Sequence, residues 1–478
     1  MTPSVIGLIF VAYTALLFLI AFLTGKKAGD EAYYRGDRRS PWFVVAYGMV
    51  GASLSGVTFM SVPGNVLREN FYYLPMVSGF VAGYVVIAKV LLPIYYKLNL
   101  TSIYGYLDMR FGLRSYKSGA AFFLLSRSLG ATLRMFLVIS VLHEFVFKAM
   151  GIPFPVAALV FILLILGYTF RGGIKTIVWT DTLQTTFMLA AVGISIFCIA
   201  RSMHWTWSEM LVSVKDSPLS RVFDTDPLAP RYYLKQFVSG LFITVTMTGL
   251  DQDMMQKNLS CRNLKDARKN MYTCSGIILV MNFLFLVLGA ILCLYAQENG
   301  IVCADTDHLF PTVAIHYLPA LAGLTFIIGV LSAAYSSADG ALTAVTTSFT
   351  IDILGVERRG LSAERRRRIR YVVHLAMSLS FLLLIILFDK IKNDSVINMV
   401  YDIASYTYGP LLGLFVTGIC TRWKVDDRLT PLVVLLAPVL SYVLSLLARL
   451  FWSYHFGFEL LLLNGLLTMA GLYLIRKK

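Results

Sequence analysis

Charge is scarce in this chain. Asp, Glu, Lys and Arg together make up 14% of its 478 residues, against roughly a quarter in a soluble globular protein. That scarcity excludes a solvated surface over most of its length. Its six cysteines (Cys198, Cys261, Cys274, Cys293, Cys303 and Cys420) are scattered without metal-ligand spacing. Four of them fall in or beside apolar runs, where packing is the default role. No residue cluster resembles a zinc, haem or nucleotide site, and no Ser/His/Asp set suggests hydrolysis, so the expectation is that the chain is not an enzyme. No basic residue precedes the first apolar run, Ile6 to Leu23. That run therefore reads as a retained helix with its N-terminus outside rather than as a cleaved signal.

What is present is apolar. Hydrophobic residues make up 57% of the chain, more than a soluble core of this length could bury. The long continuous runs match helices that cross a bilayer at about 20 residues each, not the alternation of a barrel. About thirteen spans are expected. The excess of basic residues, net +15, would suit nucleic acid, but the charges lie in short clusters between apolar runs, as in cytoplasmic loops. The clusters begin with Lys26, Lys27, Arg35, Arg38 and Arg39, and continue with Arg110, Arg114 and Lys117, then Arg171 and Lys175. Further on come Lys257, Arg262, Lys265, Arg268 and Lys269, then Arg358, Arg359 and Arg365 to Arg368. The last are Arg422, Lys424 and Arg428, and the tail, Arg476 to Lys478. All fall on one side if the N-terminus is outside and the C-terminus cytoplasmic. The expected location is the inner cell membrane, with the bilayer and a small solute as partners, no nucleic acid, and a functional monomer. Residues 203–231 are polar and read as an outer loop; residues 303–318 also read as outer, with a short surface helix.

Four places put polar groups at membrane depth, where they are costly and mark function. The second span, near 43–67, carries Gly48, Gly51, Ser53, Ser55, Gly56 and Thr58. Glycines let a helix unwind and bare its carbonyls at an ion or substrate site; the same small residues also suit close helix packing. In the ninth span, near 319–352, Ser336 and Ser337 offer hard hydroxyl oxygens of the kind sodium prefers, and Asp339 follows within a turn. Asp181 enters the sixth span, near 177–202, either as a first-turn acid favoured by the helix dipole or as part of a site shared with Asp339. In the fourth span Arg127 and Arg134 lie seven apart on one helical face. Arg127 reads as structural. Arg134 lies too deep to snorkel and needs an anion: an acid such as Asp181, or a carboxylate on a solute. His374, alone in its span, reads as a hydrogen-bonded core residue.

Taken together, Tyr168-Thr-Phe-Arg-Gly-Gly-Ile-Lys-Thr-Ile-Val-Trp-Thr-Asp181-Thr-Leu-Gln184, Gly249-Leu-Asp-Gln-Asp-Met-Met-Gln256, the Ser336-Ser337 stretch and Tyr406-Thr-Tyr-Gly-Pro-Leu-Leu-Gly-Leu-Phe415 resemble the sodium:solute symporter family over nearly the whole chain. The resemblance implies an all-α membrane protein with a LeuT-like five-plus-five inverted repeat. Residues 1–42 would hold a first helix and inner loop, 43–202 the first repeat, 203–231 an outer loop, 232–421 the second repeat, and 422–478 two further helices. It implies a principal sodium site of the Gly51, Leu54 and Ala333 carbonyls with the Ser336 and Ser337 hydroxyls. It implies solute contacts from Ser55, Thr58 and Arg134, as in the family's sialic acid transporters. A second cation site would use Asp181, Ser336 and Asp339, with a proton shared between the acids as the rival. The chain departs from the family at Asp339 and Gly340, where a hydroxyl is usual, and at Val57 and Thr58, where sugar transporters carry Glu and Gln. The function implied is sodium-coupled import of an acidic sugar or organic acid by alternating access; proton coupling and a neutral sugar are the rivals.

Overall fold

A computed structural model of the chain describes residues 3–25, 33–34, 36–227, 229–303, 306–391 and 396–477. Lys26, Lys27, Arg35 and Lys478, used above to assign sides, lie outside the described residues, as does the side chain of Arg171. The helices in order are α1 (Pro3–Gly25), α2 (Trp42–Ser53), α3 (Gly56–Glu69), α4 (Leu74–Lys97), α5 (Leu113–Met150), α6 (Phe154–Phe170) and α7 (Gly173–Ser202). They continue with α8 (Trp207–Asp216), α9 (Tyr233–Thr244), α10 (Gln252–Leu259), α11 (Leu264–Glu298) and α12 (Ala320–Ile353). The last four are α13 (Ala363–Ile391), α14 (Val396–Cys420), α15 (Thr430–Trp452) and α16 (Leu460–Leu474). Nine helices among the described residues are long and apolar enough to cross a membrane; α2 with α3, bent by 55°, makes a tenth. Helices α6 and α16 are shorter apolar helices.

The chain turns between α6 and α7 at Gly173 alone, with φ +51° and ψ −141°. Only glycine takes that conformation freely, and a Cβ there would lie 2.5 Å from the ring of Tyr33. Helix α8 starts with a capping box: Thr206 accepts from the Glu209 N–H, and Glu209 accepts from the Thr206 N–H at 2.7 Å. The segment expected as an outer surface piece at 303–318 is different. Leu309, Phe310 and Val313 are buried, and the Phe310 ring lies 5.3 Å from Phe59 and 4.8 Å from Phe326. Its apolar residues pack inward, so it closes over α3 and α12.

Helices α4 and α9 meet backbone to backbone. A Cβ on Gly79 would lie 2.1 Å from the Phe237 carbonyl oxygen, and one on Gly240 2.1 Å from that of Met76. Small residues permit such an approach, which replaces hydrophobic force as the glue between helices in lipid. Gly240→Val should therefore separate the pair at a cost of about 1–3 kcal/mol, because backbone cannot move aside. The expected result is a lowered melting temperature in detergent; an unchanged one would show that the two helices are not held by this contact.

Candidate functional site

The sequence breaks its second span where expected. Helix α2 ends at Ser53, Leu54 (φ −85°, ψ 69°) and Ser55 (φ −65°, ψ 175°) form the turn, and α3 starts at Gly56. The Leu54 N–H closes on the Val50 carbonyl at 2.8 Å. The next four carbonyls, Gly51 to Leu54, are past the last helical donor. Among the described residues no side-chain or loop N–H reaches them. The glycines bring this break against its neighbours. A Cβ on Gly51 would lie 2.1 Å from Thr185 Oγ1 on α7, and one on Gly48 3.1 Å from the Asp181 Cβ. A Cβ on Gly56 would lie 4.0 Å from the Ala333 Cβ on α12.

Helix α12 presents Ala333, Ser336 and Ser337, spaced three and four apart and so on one face. Ser336 Oγ donates to Asp181 Oδ1 at 2.9 Å. Ser337 Oγ is buried and has no partner. Buried hydroxyls are ordinarily paired, which makes the Ser337 oxygen a candidate ligand. Ala333 thus lies against the start of α3, Ser336 is bonded to Asp181, and Gly51 packs on Thr185 one turn further along α7 from Asp181. A set of backbone carbonyls and hydroxyls suits sodium, a hard cation.

The seventh span, expected at 232–256 without interruption, is broken as well. Helix α9 passes through a π turn at Val245–Gly249, Asp251 is extended, and α10 follows. Here the protein satisfies its own backbone. The Tyr95 hydroxyl donates to the Gly249 carbonyl at 2.9 Å and that of Tyr104 to Leu250 at 2.7 Å. Asp251 caps α10, accepting from the N–H groups of Asp253 and Met254 at 2.9 and 3.3 Å. At the second break, unlike the first, side-chain hydroxyls among the described residues reach the carbonyls of the turn at Gly249 and Leu250.

Helix α10 also corrects the charge assignment. Lys257 was counted with an inner loop, but every residue of α10 is buried, and Lys257 is 1% exposed. Its polar sequence reads as a loop by hydropathy; its ion pairs make burial possible. Lys257 Nζ lies 2.8 Å from Asp181 Oδ2 and 3.3 Å from Asp253 Oδ1. Arg127, from α5, pairs with Asp253 through one guanidinium nitrogen and lies 3.6 Å from Asp251 through the other. Tyr408 on α14 donates to Asp251 at 2.8 Å. Asp181 is therefore not a helix-terminal acid. It links the paired serine to a buried chain of charges that spans α5, α7, α10 and α14. Asp339 accepts from the Tyr168 hydroxyl at 2.9 Å and from the Gly340 N–H at 2.6 Å; it is not hydrogen-bonded to Asp181 but lies within electrostatic reach of Asp181, Lys257 and Asp253. His374 is the hydrogen-bonded core residue expected, between Thr169 and Thr346 at 3.0 and 2.8 Å.

Beside the first break lies a small polar cavity of about 90 Å³. Ala52, Ser53, Leu54 and Thr58 form one wall; Arg127 and Arg134 another; Tyr84, Thr248 and Asn282 add polar groups. Of the residues expected to contact a solute, Thr58 and Arg134 both line this cavity. Ser55 is not on the wall: it is buried at the N-cap of α3. Sequence reasoning missed Lys257, Asp251, Asp253, Tyr408 and the polar wall residues. The spacing Asp253 to Lys257, one helical turn, was a signal available in the sequence.

The pattern that describes the Sodium:solute symporter family matches residues 33–425. The Sodium/sialic acid symporter SiaT of Proteus mirabilis is 25% identical over 435 residues, covering 86% of this chain and 83% of that protein. The Sodium/sialic acid symporter NanT of Aliivibrio fischeri is 24% identical over 421 residues, covering 84% and 80%. A solved structure of a Na+-coupled sialic acid symporter, substrate-bound and outward-open, superposes with a TM-score of 0.86 at 20% identity, over 99% of this chain and 98% of that one. The fold is the LeuT-like one.

Proposed function

The chain belongs to the sodium:solute symporter family, and from that premise we propose that it imports an acidic sugar or a related organic acid together with sodium. It is a multi-pass membrane transporter and not an enzyme, and sodium is its coupling ion. The proposed sodium site is the Gly51, Leu54 and Ala333 carbonyls with the Ser336 and Ser337 hydroxyls. The observation that carries the solute class is Arg134 on the cavity wall, where the second guanidinium, Arg127, is already paired with Asp251 and Asp253 and no carboxylate lines the space. Such a wall favours an anion. Arg134 is the proposed carboxylate partner, Thr58 a hydroxyl contact, and Asn282 Oδ1, buried without a partner, an acceptor for a solute hydroxyl. Two of the most similar relatives carry sialic acid by name, which agrees with an acidic sugar.

In this reading the chain makes thirteen crossings with its N-terminus outside, and residues 43–202 and 232–421 are inverted repeats. Both repeats open on a broken helix, α2–α3 and α9–α10, which supports the division. Sodium entering the first break steadies α2 against α12 and completes the adjoining cavity wall; one bundle then rocks against the other. One sodium moving with a monoanionic solute carries no net charge, so the sodium concentration gradient is the driving force; a tenfold gradient yields about 1.4 kcal/mol, enough for roughly tenfold accumulation.

The test is uptake into proteoliposomes of labelled N-acetylneuraminic acid, gluconate and galactose. A sodium gradient should drive an acid and not galactose, and a proton gradient alone should drive neither. Galactose uptake equal to that of the acids would overturn the solute class, and proton-driven uptake without sodium the coupling.

A further inference from the structure

The second cation position read from the sequence, at Asp181, already has a cation. Lys257 Nζ lies 2.8 Å from one Asp181 oxygen, and Ser336 donates to the other. Asp253, one turn before Lys257 on α10, holds the same ammonium at 3.3 Å. The lysine is 1% exposed and both acids are fully buried, so water does not share the charge. Helix α10 is anchored at its start. Asp251 caps it and is gripped by Tyr408, and Gln252 donates to the Thr101 carbonyl at 2.9 Å and accepts from the Ile103 N–H at 3.0 Å. The ammonium is thus delivered to Asp181 from a fixed helix rather than from a flexible loop.

We propose that Lys257 is a resident cation filling the cage of Asp181 and Asp253, so that this chain binds a single sodium ion, at the first helix break, where other arrangements of the same acid would take two. The inference rests on the sodium site proposed above. A second cation entering beside the ammonium, about 4 Å away, would be weakened roughly a thousand-fold by repulsion alone. Asp181 keeps a role in the one remaining site. By accepting the Ser336 proton it turns the serine's lone pairs outward, free to face sodium, and Lys257 fixes Asp181 while it does so. Asp181 and Lys257 are positioning residues, and Ser336 touches the ion.

Sodium itself is the probe, so the unidentified solute does not enter the test. Equilibrium binding of ²²Na to the purified full chain in lipid nanodiscs should count one ion per chain. Lys257→Met empties the cage and should raise the count to two; Lys257→Arg keeps a cation there and should leave it at one. Two ions on the wild-type chain would overturn the inference, as would a folded Lys257→Met protein, eluting like the wild type, that still binds one. Should Lys257→Met not fold, the wild-type and Lys257→Arg counts decide. A count of zero on the wild type would instead remove the sodium site itself, a failure distinguishable from the first.

Discussion

Arg127→Met should destabilise the protein as much as the most damaging cavity-forming substitutions in its core. The guanidinium is 4% exposed and balances two buried carboxylates, Asp251 and Asp253. Methionine fills much of the same space but leaves those charges with Lys257 alone, which is already shared with Asp181. Removing one partner from a buried charge pair costs about 3–5 kcal/mol, because the other charge remains in the low-dielectric interior. The thermal transition of the detergent-purified variant should fall well below the wild type's, with little folded protein recovered. Adding Asp253→Asn should restore part of the loss, since the charge left uncompensated is then one fewer. A single Arg127→Met variant that melts with the wild type would show that the charge chain does not hold α5 to α10.

Apolar length and charge clusters were enough to place helices, because a span must satisfy its own backbone and its ends meet water. The first break was also legible: Gly48, Gly51 and Gly56 interrupt an apolar run, and glycine in a helix signals either packing or unwinding. Here it does both, since Gly51 packs on Thr185 beside the bare carbonyls. Lys257 was not legible, because hydropathy averages a window and α10 is polar throughout. A buried polar helix differs from a loop only by what surrounds it, and the partners of Lys257 and Arg127 come from α7 and from α10 with its N-cap. The surroundings of Asp339 were hidden for a related reason: its hydrogen bond comes from Tyr168, 171 residues away.

Ser337→Ala should uncouple sodium dependence from stability. The Ser337 hydroxyl has no hydrogen-bond partner in the folded chain, so deleting it removes a desolvated polar group and no protein contact. Stability should be unchanged or slightly raised. If that oxygen is a sodium ligand, losing it forfeits an interaction with a full charge, worth about 1.5–3 kcal/mol, and the sodium concentration for half-maximal uptake should rise roughly ten- to hundred-fold. Ser336→Ala should differ in kind: it raises the same sodium requirement but also strips Asp181 of a donor at 2.9 Å, so its melting temperature falls as well. The comparison separates binding from scaffolding at adjacent positions on one helix. Sodium activation curves for the two variants, set beside their melting curves, provide the measurement. A Ser337→Ala protein with the wild-type sodium requirement would take Ser337 out of the site and leave Ser336 as the hydroxyl that α12 brings to it.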